Sequence, residues 1–134
     1  MSASLELQAA LHHALATDMD LAALLGGSHV YDAPPPRTRY PFVSFGDAVV
    51  TDYGGLDADA FEHRVDLHVW TRTGGRADAF AVADAIRGAM ERLPTALGDH
   101  RLANIGVGST TSVRLRDGVT VRATVAIRAV TEPA

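Results

Sequence analysis

The chain has 134 residues, 47 % of them hydrophobic, and a formal net charge of −4. That length suits one domain over residues 1–134 with one modest core, and the apolar content is enough to bury that core, so the chain need not be disordered. The acidic balance argues against general nucleic-acid binding, and the lack of cysteine excludes disulfides, thiol catalysis and Cys-ligated zinc.

A cysteine-free chain fits a reducing cytoplasm. No apolar run approaches the roughly 18 residues of a membrane span. The N-terminus carries Glu6 and no basic start, so a secretory leader is not expected there. All twelve basic residues are Arg, which the codon bias of a GC-rich genome explains without special guanidinium chemistry. The charge is uneven: residues 1–100 hold seven Arg against fourteen acids, and residues 101–134 hold five Arg against two. Such an asymmetry can orient a subunit against its partners.

In chain order, residues 3–16 read as an amphipathic helix with Leu7, Leu11, Ala14 and Leu15 on one face. Ser2 or Ser4 caps it, and Glu6 suits its first turn. Asp18 caps a second short helix with Leu21, Leu24 and Leu25 inward, ended by Gly26-Gly27. His29 to Tyr31 reads as a short strand, and the triple proline Pro34 to Pro36 as a rigid connection. A strand over 42–51 follows, then a loop over 52–60 with Gly54-Gly55 as its hinge.

The clearest period-2 signal is "FEHRVDLHVWTR". Phe61, His63, Val65, Leu67 and Val69 alternate with Glu62, Arg64, Asp66, His68 and Trp70. Residues 76–92 form the long helix, with Ala79, Val82, Ala83, Ile86, Met90 and Leu93 inward and Asp84, Arg87 and Glu91 outward. Pro94 stops it. "HRLANIGVGSTTSVRLR" is a glycine-interrupted strand with room for a bulge. Asp117-Gly118 signals a hairpin. In "VTVRATVAIRAV", Val119, Val121, Ala123, Val125, Ile127 and Ala129 share the inner face, and Thr120, Arg122, Thr124 and Arg128 the other.

The order α-α-β-β-α-β-β defines an α+β fold: a mostly antiparallel sheet of about four strands with helices packed on one face. The other face carries Glu62, Arg64, Asp66, His68, Trp70, Arg114, Arg116, Arg122 and Arg128. Two readings of it stay open, a solvated face and a subunit interface. Trp70 favours the interface, unless a loop of the same chain covers it.

No catalytic or ligand motif is complete in this frame. Gly74-Gly75 opens a helix, as a phosphate cradle would. The G-x-G-x-x-G and G-x-x-x-x-G-K-[ST] patterns are absent, however, and Asp78 would repel an anion, so a sharp strand-to-helix turn is the expected role. His12-His13 point to different sides of a helix, His63 and His68 to opposite faces of a strand, and no H-x-x-x-H or H-E-x-x-H occurs. Asp52, Asp57 and Asp59 do not match a calcium loop. No G-x-S-x-G elbow frames a serine, and Ser109 to Ser112 reads as a strand edge or loop.

The segment "LHVWTRTGGRADAFAVADAIRGAM" is preceded by "VYDAPPPRTRYPFVSFGD" and followed by "LGDHRL" and "VTVRATVAIRAVTE". Together these resemble the tail completion or tail terminator family of tailed phages and gene transfer agents, over nearly the whole chain. The resemblance implies an α+β subunit that assembles into a ring, commonly a hexamer. The ring would cap the tail tube and join it to the head-tail connector, with DNA passing through the lumen without sequence-specific binding. It implies a place in the virion tail at the head-tail junction, assembly in the bacterial cytoplasm, and no membrane, cofactor or enzyme activity. No active-site residues carry over, so the nominated residues are surfaces. Arg64, Asp66, His68, Trp70, Arg72, Arg114, Arg116, Arg122 and Arg128 are expected at a subunit or tail-tube interface, and segments 32–40 and 52–60 at the tube or connector. The competing classes are a small nucleic-acid-binding module using the Arg-rich C-terminal third, and a ligand-binding or enzyme domain using Gly74-Gly75 and His68.

Overall fold

The computed structural model describes residues 2–54 and 59–134. The element order is α1 (Ala3–Thr17), α2 (Met19–Leu25), β1 (Val30–Tyr31), β2 (Phe42–Asp52), β3 (Phe61–Thr71), α3 (Gly75–Met90), β4 (His100–Arg114) and β5 (Val121–Pro133). The five strands form one sheet in the order β1-β2-β3-β5-β4. All neighbours are antiparallel except the two-residue β1, which pairs parallel with β2 at Val43 and Ser44. The α+β expectation holds, and the short strand read at His29 to Tyr31 joins the sheet as its fifth strand, β1. Gly55 and Asp57, named above in the loop over 52–60, lie outside the described residues.

Helix α1 forms because Ser2 accepts from the Leu5 amide and Leu7, Leu11 and Leu15 line up on one face; all three are at most 1 % exposed. Asp18 ends α1 and caps α2 by accepting from the Leu21 amide at 2.9 Å. Leu21 and Leu25 turn inward as expected, but Leu24 is 44 % exposed. In a helix of seven residues, positions 21 and 25 already fill the buried face, and 24 falls beside it. Ala14 is likewise half-buried.

The core lies between the helices and one face of the sheet. Leu67 and Val69 of β3, Val121, Val125 and Ile127 of β5, and Val82 and Ile86 of α3 belong to one buried cluster with the leucines of α1. His63 shares this face. It is 1 % exposed, and its Nε2 lies 2.8 Å from Thr131 Oγ1 on β5. Burial pushes its pKa down, and the nearby His100 adds to the lowering.

The turn before β5 departs from the alternation read above. Asp117 accepts from the Thr120 hydroxyl and from the Thr120 and Val119 amides. These bonds, led by the hydroxyl, hold its pKa down to about 2. The chain becomes extended only at Val121, so Val119 is 52 % exposed and Thr120 is buried.

Two buried carboxylates tie the helices to the segment after α3. Glu6 accepts from the Asp99 amide (2.9 Å) and from His100 Nδ1 (2.6 Å), and Asp18 pairs with Arg92. The Asp99 amide does most to hold Glu6 below its usual pKa; burial opposes it and His100 adds to it. Gly98 is left-handed at φ 87°, and a Cβ there would sit 2.5 Å from Glu6 Oε2. Gly98→Ala is therefore expected to destabilise by about 1–3 kcal/mol, read as a lower urea midpoint.

Candidate interaction surfaces

The sheet face away from the helices is built by the outward positions of β2, β3, β5 and β4. At one end, Phe42, Trp70, Arg122 and Val113 lie abreast across the four strands. Trp70 stacks on Phe42 with centroids 5.9 Å apart, donates its indole N–H to Ser44 Oγ at 2.9 Å, and lies under the Arg122 guanidinium. Tyr40 packs on Phe42 from the proline-rich segment, and Arg72 sits 4.2 Å over the Tyr40 ring. The chain thus covers much of Trp70 itself. Among the described residues, no group accepts a hydrogen bond from the buried Arg122 Nε.

Toward the other end, Glu62 sits between Arg64 (3.2 Å) and Arg128 (2.8 Å), and Arg128 also lies over the Tyr53 ring. Hydrogen bonds from Arg64, then Arg128, hold the Glu62 pKa down. Between the two ends, His68 Nδ1 lies 2.9 Å from Thr124 Oγ1. Burial lowers the His68 pKa, and Arg122 lowers it further.

Two of the nominated arginines leave this face. Arg114 pairs with Val121, a core residue, so its strand position faces the helix side, and the exposed Arg116 lies beyond the strand. β4 has register shifts between Leu102 and Asn104 and between Val107 and Ser109, and the second is the reason: alternation carried on from Ile105 and Val107 would put Arg114 outside. Each reverses the parity, so the inward positions run 102, 105, 107, 110, 112, 114. The structure brings Arg64, Asp66, His68, Trp70, Arg122 and Arg128 together on the outer face. It sets Arg72 at the rim, bonded to Thr120 Oγ1.

The Gly74-Gly75 turn is the sharp strand-to-helix turn expected. Gly74 and Gly75 are left-handed at φ 73° and 57°, and the Asp78 carboxylate crowds the helix start, 1.9 Å from where a Gly74 Cβ would be. That carboxylate occupies the place an anion would take. Among the described residues, no group of three His, Asp or Glu side chains is placed to hold a metal ion, and no helix is long and apolar enough to cross a membrane.

Sequence reasoning missed the sheet margins. Val49 and Val50 are 56 % and 44 % exposed on β2, and Phe80 is 43 % exposed on α3. Two consecutive valines in an alternating strand cannot both face one core, and Phe80 stands off the inward stripe; both signals were in the sequence. An open groove of about 500 Å³ runs between α3 and β4, lined by Arg87, Met90, Leu93, Ile105 and Val107 among others.

The outer sheet face thus gathers charged and aromatic side chains on one surface of an α+β fold. The model of the family described as tail completion protein gp17 matches residues 9–132, and the chain belongs to that family. It is a structural phage-tail protein and not an enzyme. A chain from the virion of a native gene transfer agent particle is similar at 31 % identity, with a TM-score of 0.81 and 94 % of each chain covered. The bacteriophage SPP1 gp17 protein shares the fold at 23 % identity, with a TM-score of 0.63, over 95 % of this chain and 89 % of that one. Comparison with curated proteins gave no match.

The neutral states of His63 and His68 make the fold acid-sensitive. An unfolded histidine titrates near 6.5, and both folded values lie below it, so the unfolded state binds more protons in that window. Their contribution is complete above pH 6.5 and is lost as pH falls through the folded values. The wild-type urea midpoint is expected to drop between about pH 7.5 and about pH 5.5, and a His63→Gln/His68→Gln variant to show a flatter profile.

Proposed function

We propose that this chain is a ring-forming tail terminator. It caps the tail tube, fixes its end, and joins it to the head-tail connector, with DNA passing through the lumen without sequence-specific binding. In this reading the protein is made in the bacterial cytoplasm and ends at the head-tail junction, as one folded unit over residues 1–134. The observation that carries the reading is the family match over residues 9–132, joined to a 31 % identical relative within a virion particle. The outer sheet face supports it, because Trp70 and a set of charged side chains share one surface away from the helices, the mixed aromatic and charged make-up that interfaces favour. Arg64, Asp66, His68, Trp70, Arg122 and Arg128 are the residues proposed to meet the tube or connector, with Arg72 at the rim.

Native mass spectrometry over a concentration series tests the ring. Six copies of the 14.1 kDa chain appear at roughly 85 kDa if cyclic symmetry closes, alone or after mixing with the tube protein. A strict monomer under both conditions contradicts it. Arg64→Glu or Arg122→Glu is expected to cut assembly while circular dichroism stays native. Wild-type assembly in both variants removes the outer face from the contact surface.

A further inference from the structure

We propose that the β2 margin of one copy docks along the β4 margin and the α3–β4 groove of the next. This rests on the ring reading and names the surfaces that would close it.

The sheet order puts β2 and β4 near opposite margins. On its outer side β2 is covered by β1 at Val43 and Ser44, and no strand of the described residues covers it from Phe45 to Asp52. On β4, the segment before it bridges at Ala96↔Arg101, and among the described residues no strand pairs with its outer side beyond Leu102. Unpaired strand margins are templates for further pairing, and neither has an internal Pro to block it.

Strand direction agrees. β2 is antiparallel to β3, β3 to β5, and β5 to β4, so β2 and β4 run oppositely. Two copies set side by side in the same orientation bring β2 against β4 as an antiparallel pair. Such a contact joins different surfaces of identical copies, the heterologous type that closes rings. The β4 register shifts confine a continuous ladder to Ser109–Arg114, so side chains fill the rest.

The side chains match. Ala48 and Val50 pair with Val65 and His63, on the helix side of the sheet. On that side the next copy would offer the α3–β4 groove, with Ile105 and Val107 along β4. Phe80 lies on the same helix stripe as Arg87 and Glu91, which line that groove. The charges oppose: residues 42–52 hold Asp47 and Asp52 and no base, whereas residues 100–114 hold no acid, and Arg114 carries their positive charge because Arg101 is already paired with Glu132. Arg116 extends the basic margin. Opposite signs on opposite margins steer head-to-tail contact and penalise like-to-like contact.

The test uses two variants with exposed substitutions, Val50→Glu on the β2 side and Phe80→Glu/Arg87→Glu on the α3–β4 side, each checked for native circular dichroism. Each alone should fail to form rings under conditions where the wild type does so. Mixed one to one, they should stop at a dimer of roughly 28 kDa, because each variant keeps one intact side. This is read at about ten times the ring-forming concentration, since one open contact lacks the avidity of a closed ring. Wild-type rings from both variants, or a mixture that stays monomeric, overturn the margin pairing while leaving the ring reading intact. A wild-type chain that never oligomerises, alone or with tube protein, removes the ring reading and this inference together.

Discussion

The pairing of β3 with β5 organises the rest of the molecule. Eleven consecutive positions, from Phe61↔Thr131 to Thr71↔Val121, run in one unbroken register at the centre of the sheet. Along it, Leu67, Val69, Val125 and Ile127 go to one side, and Asp66, His68, Thr124 and Arg128 to the other. A slip of one residue would put charges in the core, so the hydrophobic pattern itself holds the register. The helices bury one face and leave the other to polar and aromatic contacts. A two-faced sheet of this kind can be stable alone and still present a large surface to partners.

The helix layer is fastened to the sheet's far margin by carboxylates rather than by apolar packing alone. Glu6 reaches across to Asp99 and His100, and Asp18 caps one helix while pairing with Arg92 beyond another. Each buried acid has named partners, which is what makes its burial tolerable. These ties fix the segment between α3 and β4 and leave the groove beside it open. A rigid margin next to an open groove suits docking, because less freedom is lost when a second surface arrives.

Much of the architecture was legible in the sequence because local signals agreed with one another. Ser2, Asp18 and Gly26 mark helix ends, the alternation through Phe61–Thr71 marks the central strand, and Asp117-Gly118 marks the last turn. The failures occurred where one residue breaks a period. The β4 register shift after Val107 moved Arg114 off the outer face that alternation from Ile105 and Val107 would give it, and the turn holding Thr120 moved Val119 out of the core. Pattern reading assumes a constant period, and a bulge or an extended turn leaves composition unchanged while reversing every later side chain. The Trp70 surroundings were also illegible, because Phe42 and Ser44 reach it from distant sequence, with Tyr40 packed behind Phe42. The exposed valines at 49 and 50 were visible as an anomaly, but their meaning depends on which strands end up at the margins, a tertiary property.

The proposed role of this chain is to end a tail tube as a closed ring. Electron cryomicroscopy of assembled particles tests it most directly. The account predicts a single ring of this fold at the head-proximal end of the tube, with neighbouring sheets meeting β2 margin to β4 margin. The chain placed elsewhere in the particle, or seated at the tube end as isolated copies that do not touch, would contradict it.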